Sequence, residues 1–411
     1  MAEPAYRLQA APALLRRVGA ALAALALSAC AIVPTAAPEG TGAPPVVAQE
    51  PRPQPQPRPQ VQRPAVRPQP VRPAPPEVEL HRVAVLAPLT GDNAGVGQSI
   101  ANAANLALAD AGGPRIELTV YDTGPGAEAA AARALAEGNR LILGPLLAEE
   151  ARAVAPAARR AGVPIVSFSN DVSAAGDGVH IIGFNPAQSI DRVVAHARAS
   201  GLQRFGALIP SGTYGQRAGQ ALIAAVARHG GRMVGMQTYD RSVRGLRGAA
   251  TRLSAQGQYD AVLVADSPRI AAQAAPLIRA ASARARILGT ELWAAESDLG
   301  ETAALRGAWF AAASDERFEQ FRTRYRARYG ANPYRLSSLG YDSVLLALRL
   351  SADWPVGAPF PARLLREREG FMGLDGSFRF GRDGVALRSL EVQEVTAGGT
   401  TTVSPAPRGA D

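Results

Sequence analysis

The chain has 411 residues, 47% of them hydrophobic, which is enough to form one or two domains with well-filled cores. Its 44 basic residues are all arginine and outnumber the 35 acidic ones, which gives a formal charge of +9. Basic chains suit acidic partners, but here the arginines are dispersed, aromatics make up only 5% and no nucleic-acid-reading motif is recognisable. Nucleic-acid binding is therefore disfavoured.

Residues 1–29 have the pattern of an export signal. Three arginines, the last of them Arg17, precede the apolar run 18–27, which is too short to span a bilayer as a mature helix. The run is followed by Ser28, Ala29 and Cys30, the only cysteine of the chain. Without a second cysteine no intramolecular disulfide can form, so the fold depends on its core. An ordinary signal peptide with an incidental thiol is the alternative interpretation.

The ending Leu27-Ser28-Ala29-Cys30 resembles the lipobox of bacterial lipoproteins. This resemblance implies that Cys30 is acylated and becomes the mature N-terminus. Ala31 follows it, in place of the aspartate that retains such lipoproteins at the inner membrane. The implied location is the periplasm, with a lipid anchor in the outer membrane.

Residues 30–79 are expected to form a disordered tether behind the lipidated cysteine. From residue 32 the segment is rich in Pro, Gln, Arg, Val and Ala, which favours extended polyproline II conformations and buries no core. At ~3.1 Å per residue, about 50 residues would reach roughly 150 Å when fully extended. Its arginines would permit weak contact with anionic polymers, although solubility and stiffness are the favoured explanation.

Beyond the tether, apolar runs typical of strands alternate with segments of helical spacing, in a folded domain expected over residues 80–396. This rhythm predicts a doubly wound α/β protein with parallel sheets, and so many strands before residue 290 favour two lobes. The predicted strands are 81–88, 116–121, 141–143, 165–167, 179–184, 205–209, 233–239, 261–265, 286–288, 371–373, 376–380 and 387–395. The predicted helices are 96–111, 127–137, one in 146–161, 187–199, 216–229, 246–256, 270–281, 318–329 and 336–350. Residues 397–411 are expected to be disordered.

The stretch 141–171 is predicted to place two loops at one site. It contains two buried strands, the first ending in Gly144-Pro145 and the second in Ser167, Ser169 and Asn170. In an open parallel sheet the carboxyl ends of neighbouring strands face the ligand crevice. The same polar residues could equally cap the following turn, so both interpretations stay open.

Enzyme chemistry finds little support in the sequence. The four histidines are isolated, no pair has metal-ligand spacing, and a Gly-x-Ser-x-Gly motif is absent. We therefore expect no catalytic residues, no metal site and no cofactor. The aromatic stripe Phe318, Phe321, Tyr325 and Tyr329 has helical spacing and is predicted to be core.

Several short motifs, in family order and at family spacing, resemble the type I periplasmic binding-protein fold, the branched-chain amino-acid receptor family. They are Ala87-Pro88-Leu89-Thr90-Gly91, Leu143-Gly144-Pro145, 162–167 (GVPIVS), Tyr214-Gly215, Leu288-Gly289-Thr290, Gly340-Tyr341-Asp342-Ser343 and the 373–380 ending (GLDGSFRF). The resemblance implies two lobes joined by a three-strand hinge that closes on a ligand. The expected lobes are 82–197 with 314–370, and 198–313 with 371–396.

The resemblance also implies where a ligand would bind. Thr90, Ser167, Ser169 and Asn170 fall in the first lobe's ligand loops, and Ala148 stands where family members usually have a carboxylate-binding serine. Tyr214 matches the second-lobe aromatic, and Glu291 lies near the acidic residue that pairs with a ligand ammonium. The family's other second-lobe tyrosine has no counterpart in Asp266-Ser267-Pro268. The chain therefore retains only half of the family's amino-acid-binding residues. Glu291 could also be a solvated loop acid, and Trp293 is expected to pack.

Two functions fit this picture. The first is a regulatory lipoprotein resembling the penicillin-binding protein activators, which share this fold and stimulate a peptidoglycan synthase by protein contact. The lipid anchor, Ala31, the tether and the altered loop at Ala148 favour it, although the best-known activators carry a helical-repeat domain where this chain has only the tether. The alternative is the substrate-binding protein of an ABC importer, whose partners would be a permease and an amino acid or related small polar ligand.

Overall fold

A computed structural model describes residues 79–112, 115–296 and 298–407. The strands are β1 His81–Ala87, β2 Ile116–Asp122, β3 Leu141–Leu143, β4 Ile165–Ser167, β5 Val179–Ile181, β6 Arg204–Pro210, β7 Arg232–Tyr239, β8 Ala261–Val264, β9 Arg286–Leu288, β10 Trp309–Ala312, β11 Phe371–Gly373, β12 Gly376–Phe380, β13 Ala386–Arg388, β14 Glu391–Thr396 and β15 Gly399–Ser404. The α-helices are α1 Ala94–Asp110, α2 Ala127–Ala136, α3 Ala148–Ala161, α4 Pro186–Ala199, α5 Thr213–Arg228, α6 Val243–Ser254, α7 Pro268–Ala281, α8 Glu316–Tyr329 and α9 Ser337–Leu350.

The first sheet has the order β2-β1-β3-β4-β5, and all of its pairs are parallel. Successive residues of β1 point to opposite faces. Val83 and Val85 enter a core shared with α1, α8 and α9, whereas Ala84 and Leu86 enter one shared with α2 and α3. A strand buried on both faces is apolar throughout, which is why β1 lacks polar alternation.

The second sheet has the order β15-β14-β10-β9-β8-β6-β7. Its five strands from β10 to β7 are parallel, and β14 and β15 add antiparallel strands at one edge. Phe205 and Ile209 of β6 pack in a core with α4 and α5, and Leu208 packs on the opposite face with α6 and α7. The predicted two-lobed, doubly wound α/β fold is therefore confirmed.

Core packing places the lobe boundaries differently from the sequence expectation. Helix α4 contributes Ile190 and Val193 to the core of the second sheet, so the second lobe begins before residue 198. Strands β11, β12 and β13 form a small antiparallel sheet, and Phe371 and Phe378 pack in the core of the first sheet. The chain thus passes between the lobes at 182–185, 313–315 and 389–390, and only β14 and β15 of the C-terminal region join the second sheet.

The expected disorder of residues 397–411 is wrong for residues 399–404. Residues Gly399–Ser404 form β15, which pairs antiparallel with β14. Arg192 of α4 holds the end of this strand, because its Nη2 lies 2.6 Å from Ser404 Oγ. Small polar residues here form an edge strand, which needs few apolar side chains.

The predicted strand 387–395 is wrong as a single strand, because the chain crosses between the lobes at 389–390 and β13 and β14 join different sheets. Strand β10 was not predicted from the sequence. The remaining predicted helices and strands agree with the structure to within a few residues at each end. Phe318, Phe321 and Tyr325 are buried, as predicted for the aromatic stripe. The predicted signal peptide, the lipidation at Cys30 and the tether lie outside the described residues. Within the described ranges, no helix has the length and apolarity needed to cross a bilayer.

Candidate functional site

The candidate site lies where the strand-end loops of the two lobes meet. Loops after β1, β3 and β4 come from the first lobe, and loops after β6, β7, β8 and β9 come from the second. The lobes touch here, because Arg217 of α5 contacts Asp171 in the loop after β4. Open parallel sheets bind ligands at this end of their strands.

In the first lobe, the two predicted serines serve the loop itself. Ser167 Oγ donates to the carbonyl of Pro145 at 2.9 Å and accepts from the amide of Ser169 at 3.2 Å. Ser169 Oγ accepts from the amide of Asp171 at 3.0 Å. Both residues are buried. They therefore follow the turn-capping interpretation and hold the loops after β3 and β4 together.

The other predicted first-lobe residues lie around this pair. Thr90 is exposed, and its Oγ1 donates to Asp122 Oδ2 at 2.8 Å. Ala148 begins α3 and is half-buried, packed against the core, so this position carries no hydroxyl toward the cleft. Asn170 is exposed. The polar side chains offered by this lobe are thus Thr90 and Asn170 at the surface.

Asp171 is the charged centre of the first-lobe loop. Its Oδ1 accepts from the amide and hydroxyl of Ser173 at 3.0 and 2.6 Å, and its Oδ2 lies 2.8 Å from Arg152 Nη2 and 2.6 Å from Arg217 Nη2. Burial works against ionisation, but the hydrogen bonds and the two guanidinium groups outweigh it and lower the pKa of Asp171. The carboxylate is therefore charged at neutral pH and fully coordinated.

In the second lobe, Tyr214 and Glu291 are in direct contact. Tyr214 Oη lies 3.0 Å from Glu291 Oε1 and 2.9 Å from Thr290 Oγ1. The second carboxylate oxygen, Oε2, is buried without a hydrogen-bond partner in the described part of the protein. Burial raises the pKa of Glu291 to about 7. A donor arriving from a ligand would satisfy this oxygen and favour the ionised form.

Tyr239, at the end of β7, lies beside Asp266, in the segment where the sequence has no match for the family's other second-lobe tyrosine. Tyr239 Oη donates to Asp266 Oδ2 at 2.9 Å, and Arg241 Nε contacts the same oxygen at 2.8 Å. Trp293 is fully buried, as predicted, and its indole N–H donates to the Asp266 carbonyl. Tyr239 thus places a phenol beside Asp266 from β7, two strands away from β8 in the sheet.

A small, partly open cavity of ≈ 30 Å³ lies between these loops and the hinge. Glu291 lines one side, and Arg335 and Arg388 line another, together with Asn185, Gln188 and Ser189. Such a volume holds about one or two waters. Arg335 pairs with buried Asp375 at 2.7 Å, and Arg388 lies 3.9 Å from Asp342. The cavity therefore has a mostly apolar lining, to which Phe184 and Leu390 contribute, with one carboxyl group and two guanidinium groups at its edge.

The chemistry of this arrangement is recognition by charge and hydrogen bonding. In the described residues, no group of three or more His, Cys, Asp or Glu side chains is arranged to hold a metal ion. Among the buried side chains of this site that the structure describes, Glu291 Oε2 is an acceptor free to engage a ligand, and the first lobe contributes a carboxylate already paired with arginines. A ligand with a positively charged group that donates hydrogen bonds suits the second lobe best.

The family model described as Periplasmic binding protein matches residues 81–400. The chain belongs to this family. One curated relative, an uncharacterised protein of Rickettsia prowazekii, is 26% identical over 155 residues. That match spans 42% of the relative's length and 36% of this chain.

Solved structures share the fold over about four-fifths of the chain. The leucine-binding protein LivK of Thermotoga maritima has a TM-score of 0.59 at 22% identity, covering 80% of this chain and 99% of that one. A putative branched-chain amino acid ABC transporter protein from Rhodospirillum rubrum has a TM-score of 0.70 at 20% identity, covering 79% and 100%. A solute-binding protein of Rhodopseudomonas palustris, solved with 3,4-dihydroxybenzoic acid, has a TM-score of 0.61 at 18% identity, covering 80% and 98%.

Sequence reasoning missed three contributors to this site: Arg152, Arg217 and Tyr239. Arg217 follows Tyr214 by three positions on α5, so the two share a helix face. That spacing was a usable signal. The approach of Arg217 to Asp171 depends on how the lobes meet, and no local pattern encodes it.

Proposed function

We propose that this protein is the substrate-binding component of an ABC importer and that its ligand is a small molecule carrying an amine. Membership of the periplasmic binding protein family and the ligand-binding character of its structural relatives support binding without catalysis. The single observation behind the ligand class is Glu291 Oε2, a buried carboxylate oxygen that lacks a hydrogen-bond donor. An ammonium group supplies both the donor and the opposite charge.

The first lobe argues against tight dependence on a ligand carboxylate. Ala148 offers no hydroxyl, and Ser167 and Ser169 are engaged within their own loop. Asp171 adds a negative charge, which its two arginine partners neutralise. We therefore expect the amine to contribute more to affinity than the acid group of an amino-acid ligand.

Calorimetry with a matched ligand set tests this proposal directly. Leucine, 3-methylbutylamine and 4-methylpentanoate share one apolar part and differ in carrying both charged groups, only the amine, or only the acid. At pH 8 we expect one or both of the amine-bearing compounds to bind with a Kd of about 1 μM or below, and the acid alone to be silent. The panel should extend to the other amino acids.

A charge-neutral variant identifies the group responsible. Glu291→Gln removes the negative charge and should weaken binding of the amine-bearing ligand by about 10- to 100-fold. Glu296→Gln, at an exposed position in the same segment, is the matched control and should bind like the wild type. No binding by any compound in the panel, or equal binding by the acid alone, would contradict the proposal.

The activator hypothesis finds no support among the relatives named above, which favour the importer alternative. Its main arguments rest on residues 27–78, outside the described part of the chain. A pull-down with bifunctional penicillin-binding proteins, followed by a glycan-polymerisation assay, tests it separately. The predicted lipid anchor at Cys30 and its outer-membrane location are testable by fractionating cells that express the wild type and Cys30→Ser.

A further inference from the structure

Arg217 and Asp171 join the two lobes across the mouth of the cleft. Arg217 lies on α5, whose buried face packs in the core of the second sheet. Asp171 follows β4 of the first sheet. Their closest atoms, Arg217 Nη2 and Asp171 Oδ2, are 2.6 Å apart. The pair therefore connects elements whose cores are separate.

The carboxylate is fixed before Arg217 reaches it. Both hydrogen bonds from Ser173 and the contact with Arg152 come from the first lobe itself, and the Asp171 side chain is only 8% exposed. A fixed partner reduces the side-chain entropy that an ion pair normally loses, and a buried oxygen strengthens the attraction. Arg217 also has a partly buried side chain, 34% exposed. This contact therefore differs from a fully exposed surface ion pair.

We propose that Arg217 and Asp171 form a latch that holds the two lobes together without a ligand. The latch raises the population of the closed arrangement in the ligand-free protein. Less of the binding free energy is then needed to close the lobes. It also has to open before a ligand enters, which slows association. Because the pair is partly exposed, salt weakens it.

The contact between Asp171 and two arginines also predicts what happens when the carboxylate is lost. Arg152 and Arg217 both lie within hydrogen-bond distance of Asp171 Oδ2. Without the carboxylate, two positive charges from opposite lobes would face one another and repel. Asp171→Ala should therefore open the lobes more than Arg217→Ala does.

Distance measurements by double electron–electron resonance on the full-length protein, without ligand, test the latch. Cys30→Ser removes the native thiol, and Arg160→Cys on α3 and Ala224→Cys on α5 place one spin label on an exposed position of each lobe. The wild-type background should show one dominant short distance in 50 mM salt. Arg217→Ala should raise the population of longer distances about two- to fivefold.

Arg228→Ala is the matched control, because Arg228 lies on the same helix and pairs with Asp191, which belongs to the same lobe. It should leave the distance distribution unchanged. Arg217→Lys keeps the charge and should retain part of the short-distance population. Raising the salt to 1 M should open the wild type and have little effect on Arg217→Ala.

Equal distance distributions for Arg217→Ala, Arg228→Ala and the wild type would overturn the latch. Circular dichroism establishes that each variant is folded. Should Arg217→Ala fail to fold, the salt series on the wild type decides alone, and a distribution that does not change with salt counts against the proposal. Since no ligand enters these measurements, their failure is distinct from failure of the proposed binding function.

Discussion

The unpaired carboxylate oxygen of Glu291 destabilises the ligand-free fold and also suits this residue to bind a ligand. Its Oε2 is buried without a partner, and desolvation raises its pKa to about 7. The folded protein therefore keeps a proton on Glu291 at pH values where the unfolded chain, near the usual 4.5, has released it. Stability from this group is fully present below about pH 4.5 and is lost as the pH rises to about 7. Binding sites often retain residues that lower the stability of the ligand-free protein.

Glu291→Gln should therefore stabilise the ligand-free protein at pH 8 while weakening ligand binding. The amide needs no deprotonation, so we expect a gain in the free energy of unfolding on the order of 2 kcal/mol at pH 8, and little change at pH 4.5. Urea denaturation at both pH values measures it. Glu296→Gln should match the wild type throughout. A loss of stability at pH 8 would show that the ionised carboxylate is satisfied in the fold.

At the level of single elements, the two lobes use the same helix-to-strand contact. A Cβ atom on Gly97 of α1 would lie 1.8 Å from the carbonyl oxygen of Pro88, and one on Gly215 of α5 would lie 1.8 Å from that of Pro210. In each lobe a glycine lets the helix after the first strand approach the loop or strand end that precedes it. In α5 this approach orients Tyr214 and Arg217.

Gly215→Ala should push α5 away from β6 and disturb both residues. The clash is with backbone, so we expect a loss of about 1–3 kcal/mol in the free energy of unfolding and weaker ligand binding. Gly248→Ala on α6 is the control, since its nearest neighbour is the flexible end of Arg252 at 3.4 Å and alanine favours helix. Chemical denaturation of both variants compares them. Equal stability for the two would mean that α5 tolerates the displacement.

The elements were predictable from the sequence because each depends on local periodicity and turn residues. The runs at β1 and β8, for example, are continuously apolar because both faces of the sheet are covered. The placement of α4 and of β11 to β13 was missed, since which lobe an element joins depends on long-range packing. The same limit applies at the site: Tyr214 and Glu291 were found from motifs, but Arg217 and Tyr239 were not.

At the scale of the whole molecule, buried charges connect two of the three crossings between the lobes, 182–185 and 389–390. Arg388 donates to the carbonyl of Ile182 at 2.8 Å, and its own amide donates to Gln188. Asp342 of α9 lies 3.9 Å from the same guanidinium and accepts from the amide of Leu374 at 2.7 Å. Burial, and next the charge of Asp375, raise the pKa of Asp342 above its usual range. The hinge region thus contains a buried carboxyl group that keeps its proton to a higher pH than an exposed aspartate does.

This predicts that the contribution of Asp342 to the stability of the domain falls as the pH rises from about 4 toward neutrality. Asp342 stays protonated in the fold after the unfolded chain has ionised, so the folded state binds more protons in that interval. Asp260 has a pKa of about 2 because of Arg204, so it stays ionised in both the folded and the unfolded state above pH 5. It therefore does not change the pH dependence of the free energy of unfolding in that range. Relative to the wild type, Asp342→Asn should therefore gain on the order of 1–2 kcal/mol in the free energy of unfolding between pH 5 and pH 8. Asp353→Asn, which removes an exposed partner of Arg349, is the control and should follow the wild-type profile. Parallel profiles for wild type and Asp342→Asn would mean that Arg388 neutralises Asp342 fully, and that the hinge charges do not respond to pH.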